Sequence, residues 1–228
     1  MEKPTYQGLC RLCEQSFAKT GISRHLKTCV PQQLTPKHGP QRGRPRQHYQ
    51  LQVDALPPGG PYWLQLLTTP TATLADLDQF LRLIWLECCN HLSAFHPVSN
   101  YQADIRMKEP VKAVFDTGTV IRYEYDFGST TPLSIKCMGV FRGLDKIDGS
   151  ILLLAQNDPP EYTCQICKSV PATCICTECV WDNVGLLCDA CAADHECGEE
   201  MLLPLVNSPR TGVCGYTGPK GEPPTVFP

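Results

Sequence analysis

The sequence predicts an α+β fold: a mostly antiparallel central sheet covered by one helix, with a small cysteine-bearing module at either end. Three observations carry this. Apolar and polar residues alternate with period two in several middle segments. One stretch there, 73–89, has apolar residues at helical spacing behind a capping signal. Of the 15 cysteines in the 228 residues, three precede Val30 and nine follow Pro159, so metal-ligand patterns and the alternating core lie in different parts of the chain. These shifts divide it into 1–30, a basic proline-rich linker 31–47, a middle domain 48–158 and a cysteine-rich end 159–228.

At the N-terminal end, Cys10-x2-Cys13 followed by His25-x3-Cys29 offers three thiolates and one imidazole. The first pair fits a tight turn. The second lies about one helical turn apart on one face, so the four close a tetrahedron around Zn²⁺. Phe17 and Ile22 fall where a ββα finger places its core residues. A unit this short buries too little surface to fold unaided, and the metal is expected to contribute most of its stability, on the order of 10–16 kcal/mol. One finger reads about three base pairs, too few for a specific DNA site.

In the linker, Arg42-Gly43-Arg44-Pro45-Arg46 resembles an AT-hook. Pro45 extends the backbone at Arg44, and Gly43 allows close approach to a narrow minor groove, making Arg42, Arg44 and Arg46 the candidate nucleic-acid contacts. Residues 1–50 hold nine Lys/Arg against Glu2 and Glu14, a local charge of +7 in a chain whose net charge is −3. Such a basic head on an acidic body suits a polyanion, and equally a solvated linker folded back on its own acidic body.

In the middle domain, Tyr49, Leu51, Val53 and Ala55 alternate as a half-buried strand does, and Pro57-Pro58-Gly59-Gly60-Pro61 forces a turn before a second strand over 62–68. Thr73-x-x-Asp76 is a capping box ahead of Leu74, Leu77, Leu81, Ile84, Trp85 and Cys88, which predicts about four helical turns with one buried face. Strands are predicted over 120–125, 133–141 and 151–155. In the second of these, Leu133, Ile135, Cys137, Gly139 and Phe141 share one side.

The C-terminal part carries Cys164-x2-Cys167, Cys176-x2-Cys179 and Cys188-x2-Cys191, then His195, Cys197 and Cys214. Each Cys-x2-Cys places two thiolates at one turn, and two turns complete a site. An interleaved arrangement ties the start of the segment to its end: Cys164, Cys167, Cys188 and Cys191 around one zinc ion, Cys176, Cys179, His195 and Cys214 around another. Cys174 and Cys197 are then spare. A sequential pairing, or Cys197 in place of His195 or Cys214, satisfies the same spacing. With the finger this makes three zinc ions. Fully occupied, thiolate-rich sites are structural rather than catalytic.

Two blocks of the middle domain, Trp85-Leu86-Glu87-Cys88-Cys89-Asn90-His91-Leu92-Ser93-Ala94-Phe95 and Tyr123-Glu124-Tyr125-Asp126-Phe127-Gly128, resemble the Ri-plasmid open-reading-frame-three-like family of mobile-element passengers, some labelled resolvase-like. The likeness spans about residues 48–155. It extends to a bacterial branch with zinc-rich flanks and the closing Val206-Asn207-Ser208-Pro209-Arg210 and Val213-Cys214-Gly215-Tyr216. It implies an α+β domain of no established biochemical activity. Ser129, Thr130 and Thr131 stand where the family has an acidic residue and a tryptophan, which removes a second carboxylate from that loop.

Three functions follow as expectations. The first is a bacterial, cytosolic, non-enzymatic zinc-binding protein that contacts nucleic acid through its basic N-terminal part. The second is a protein–protein adaptor with structural zinc alone. The third is an enzyme whose pocket holds His91, Tyr125 and Asp126, with Asp126 and His91 as an acid/base pair. Against that stands the plainer reading that Asp126 caps a turn and His91 satisfies a carbonyl. No apolar run reaches the roughly 20 residues that span a bilayer, and the start lacks a secretory pattern, so no membrane is expected.

Overall fold

The computed structural model describes residues 6–35, 46–143, 147 and 149–220. In chain order, β1 (Gln7–Cys10) and β2 (Ser16–Ala18) form a hairpin leading into α1 (Lys19–Leu34). Then come β3 (Gln47–Ala55), β4 (Trp63–Thr68), α2 (Leu74–Leu81), β5 (Ser93–Pro97), the short α3 (Val111–Val114), β6 (Val120–Tyr125), β7 (Thr131–Arg142) and β8 (Ile151–Asn157). The C-terminal part holds β9 (Cys174–Cys176), β10 (Leu186–Leu187), α4 (Asp189–Ala193) and β11 (Leu202–Pro204). The α+β architecture is as the sequence predicts. Eight strands form one sheet in the order β2-β1-β8-β4-β3-β7-β6-β5. Each neighbouring pair is antiparallel.

The sheet is covered on both faces, whereas the periodicity predicts cover on one. The expected face packs Leu51, Val53, Leu64, Leu66, Tyr123 and Ile135 against Leu77, Phe80, Leu81 and Trp85. On the other face, α1 of the finger lays Ile22, Leu26, Val30 and Leu34 over Trp63, Leu67, Leu152 and Leu154. The finger is therefore part of the sheet. Its β1 pairs with β8, Gly8 opposite Asn157 and Cys10 opposite Ala155. Gly8 is required by this closeness: a Cβ there would lie 2.2 Å from the Gln156 carbonyl oxygen and 2.5 Å from the Trp63 ring. Apolar burial thus supports a module that its length alone assigned to the metal, since four fully or nearly buried aliphatic side chains each contribute about 1.5–3 kcal/mol.

Two further expectations change. The capping box is present, Thr73 Oγ1 accepting from the Asp76 amide and Asp76 Oδ2 from the Thr73 amide. The helix behind it is α-helical only to Leu81, widens into a π turn over Arg82–Leu86, and gives way to an extended Glu87. Arg82 is the cause: its guanidinium donates to Asp78, Glu87, the His91 carbonyl and Ser93, tying the turn to β5. Cys88 and Cys89 consequently lie beyond the helix. In β7, Gly139 pairs with Gln50 and Cys137 with Leu51, so a bulge inserts Met138 and reverses the alternation. Val140 joins Leu133, Ile135 and Cys137 on one face, while Phe141 turns to the other.

Candidate metal centres

The finger delivers its ligands as the spacing predicts. Cys10 and Cys13 flank the turn after β1, where the Glu14 amide donates to the Cys10 carbonyl, and His25 and Cys29 lie one turn apart on α1. The four donor atoms lie within 4.8 Å of one another. Cys10 Sγ is 3.9 Å from Cys29 Sγ, and Cys13 Sγ is 3.2 Å from His25 Nε2. Tetrahedral zinc at about 2.3 Å from sulfur separates two thiolates by about 3.8 Å, far longer than the roughly 2.05 Å of a disulfide. The donor set therefore fits a metal. Burial raises the Cys10 and Cys29 thiols, each also raised by its thiol neighbours, and burial lowers His25, keeping its ring neutral as a ligand must be. Phe17 stacks on His25 with ring centroids 4.1 Å apart.

In the C-terminal part the interleaved arrangement is the one present. Cys164, Cys167, Cys188 and Cys191 form one cluster. Cys188 stands at the start of α4, and its sulfur lies 3.9 Å from Cys167. The second cluster needs a correction: Cys176, Cys179 and His195 are joined by Cys197, not Cys214. Cys179 and Cys197 are 3.4 Å apart. The reason is local. After α4, a short turn returns Cys197 beside His195, while the strand β11 carries the following chain away from the cluster. Within the three-stranded sheet β10-β9-β11, β9 pairs with both neighbours, and Cys176 at its end is buried opposite Leu202. Cys174, the other spare, is no member of a cluster.

Electrostatics show why these clusters want a cation. Burial opposes ionisation of Cys164, but backbone N–H groups of Cys167, Cys188 and Ile166 overcome it and bring the thiol down to about 6. Its neighbours push Cys191 up to about 12. In the other cluster, burial raises Cys176, but N–H groups of Cys179 and Glu178 and the His195 ring bring it to about 7, whereas hydrogen bonding to Cys197 sends Cys179 to about 12. Hydrogen bonds to Ser169 lower Cys167 as well, so each cluster sets lowered thiols (Cys164 and Cys167 in one, Cys176 in the other) beside a raised one (Cys191, Cys179), a conflict that a divalent ion removes. His195 Nε2 is buried with no hydrogen-bond partner, as a metal-ready imidazole is.

The pocket residues come together differently from an acid/base cleft. His91 Nδ1 lies 3.6 Å from Asp126 Oδ1, and the Tyr125 hydroxyl accepts from the His91 amide. Asp126, with positive φ, also accepts from the Gly128 amide, which is the turn-capping role. Its other oxygen is held at 2.5 Å by Arg210, a fully buried guanidinium that also donates to the Ser129 carbonyl and Thr131 Oγ1 and lies 4.9 Å from the Tyr125 ring centroid. Burial raises Asp126, but Arg210 and the Ser129 and Gly128 amides hold it below the usual carboxylate range. Sequence reasoning missed Arg210. Its only signal was the Val206–Arg210 string, noted without a partner. Cys214 lies in this region, 3.3 Å from His91 Nε2, in a fourth cluster with Cys88, Cys89 and His91.

Arg42 and Arg44 lie outside the described residues, and Arg46 is exposed just before β3. None of the fifteen cysteines forms a disulfide. No helix among the described residues is long and apolar enough to cross a membrane. No family model and no curated protein matches this chain. The crystal structure of MM3350, a protein of unknown function from Methanosarcina mazei Go1, is similar over 49% of this chain and 69% of its own, at 15% identity and a TM-score of 0.42.

Proposed function

We propose that this chain is a non-enzymatic zinc-binding protein that acts in macromolecular interaction, with nucleic acid contacted by its basic N-terminal part. The observation that carries the zinc reading is the completeness of the clusters. Each brings four Cys or His donors within 4.8 Å, at least three of them thiols, leaving no open position for water. The acid/base alternative is disfavoured because the Asp126 carboxylate is buried and committed to Arg210. In this reading the middle domain belongs with the plasmid family that its Tyr123–Gly128 block resembles.

The nucleic-acid part is supported by charge and by its placement. Arg24 and Lys27 are exposed on the face of α1 opposite the sheet, and Arg46 is exposed where the chain re-enters it. Of the finger's cations, Lys19 is committed to Asp54 at 2.8 Å. Mobility shifts with duplex and single-stranded probes at two salt concentrations test this. Affinity should fall with salt, and each removed phosphate contact, as in Arg24→Ala or Arg44→Ala, should reduce the log–log slope by about one. Binding to neither probe, or binding indifferent to salt, removes this part.

A protein partner is the second reading, favoured by apolar exposure on the C-terminal part. Ile166, Val170 and Val184 are exposed there, and Trp181 is 81% exposed. A pull-down that returns one stoichiometric protein, lost in Trp181→Ala, together with negative mobility shifts, selects it.

A further inference from the structure

The fourth cluster joins parts of the chain more than 120 residues apart, and its geometry is built from both sides. On the central domain, the chain leaves the π turn at Glu87 and reverses at Asn90, whose positive φ and amide bond to Glu87 Oε1 curl Cys88, Cys89 and His91 around one point. From the other side, a segment crosses the domain and is fastened along its length. Asn207 Oδ1 accepts from Asn157 Nδ2 while its Nδ2 donates to the Asn157 backbone carbonyl, Ser208 Oγ donates to the Trp85 carbonyl at 2.6 Å, Arg210 pairs with Asp126, and Tyr216 is buried. Cys214 stands between the last two, in a left-handed turn that aims it at His91.

We propose that Cys88, Cys89, His91 and Cys214 form a fourth zinc site, which clasps the C-terminal segment onto the central domain and is the first of the four to release its ion. The four donor atoms lie within 4.8 Å of one another, and three thiols with one imidazole are a donor set that selects zinc over harder cations. Behind the ligands a carboxylate stands close to the histidine, 3.6 Å from its ring and just beyond hydrogen-bond distance. With Nε2 toward Cys214, the opposite ring nitrogen faces Asp126 Oδ1, and Arg210 fixes that carboxylate from its other oxygen. The buried Asp126–Arg210 pair thus stands beside a ligand as well as anchoring the segment. Each of the other three clusters has at least one buried thiol, whereas none of these ligands is buried and Cys89 and Cys214 are exposed, so water and chelators reach its sulfurs directly.

This inference rests on the zinc reading, and metal analysis of the full chain purified without chelator separates the two. Four zinc ions per chain are expected. Three overturn the fourth site and leave the zinc reading standing, and none overturns both. Cys89→Ser and Cys214→Ser, at exposed positions that need not disturb folding, should each lose one ion with unchanged circular dichroism, while His91→Cys keeps four. In a chelator time course, one equivalent should leave in a fast phase that Cys214→Ser lacks. Retention of four ions by Cys214→Ser, or a disulfide joining any two of Cys88, Cys89 and Cys214 in peptide mapping of the native protein, would overturn the assignment.

Discussion

The two ends of the chain carry the same Cys-x2-Cys device and hold their structure by different means. The finger is fused to the sheet: Cys10 and Cys29 are buried, and its helix shares a core with Trp63, Leu67, Leu152 and Leu154. The C-terminal part has few such side chains. Between residues 159 and 205 the buried hydrophobics are Cys164, Ile175, Cys176, Leu187 and Cys188, three of them candidate ligands. On the zinc reading the same spacing reinforces a fold at one end and would substitute for a core at the other, because the energy that orders a segment comes from whichever of burial or ligation it can supply.

The largest effect should come from breaking the C-terminal clusters. Cys167→Ser should lose metal and open residues 164–204 to proteolysis while the eight-stranded sheet persists, and a variant with full zinc content and native protease resistance refutes the metal-built view of that part. Next comes the buried ion pair. Arg210→Ala leaves Asp126 buried and unpaired, expected to cost about 3–5 kcal/mol in denaturant melts. Asp126→Asn together with Arg210→Met should restore much of that.

Smaller, and aimed at the finger, is the contrast between its metal and its packing. Leu26→Ala should destabilise the whole domain by about 2–5 kcal/mol, because Leu26 is fully buried against the sheet. Cys13→Ser should release the finger's ion yet leave α1 protected in hydrogen exchange. Should α1 lose its protection entirely, the finger depends on metal as the C-terminal part does.

The last effect, on affinity rather than on the fold, is proton linkage. Cys179 and Cys191, raised to about 12, keep their protons at neutral pH without metal, so ion binding must expel them. Affinity should accordingly fall as pH falls, about tenfold per pH unit for each proton displaced, and titrations in buffers of different ionisation enthalpy count those protons.

Much of the fold was legible because its signals are local. The capping box at Thr73, the alternation through Leu51 and Val53 and the Cys-x2-Cys turns each depend on residues within one element. Reading failed where a partner lies far along the chain. Nothing near Leu81 announces the π turn, since Arg82 reaches Ser93 to make it, and the bulge at Met138 is a matter of register with β3. Cys88 and Cys89 fitted a continuing helix, so their pairing with His91 was hidden until the helix was seen to stop.

By itself the sequence determined the class of fold, the basic head, the finger's four donors and the Cys-x2-Cys pairs, whereas only the tertiary structure chose the interleaved order of the first C-terminal cluster over a sequential one. Spacing within one turn already fixes which pairs of thiols point together. Only the tertiary structure decided that Cys197 rather than Cys214 completes the second cluster, that the finger's helix covers the sheet, and that Arg210 and Cys214 meet Asp126 and His91. Those contacts join elements whose separation in space is set by the packing of the whole sheet, and no short-range pattern encodes it.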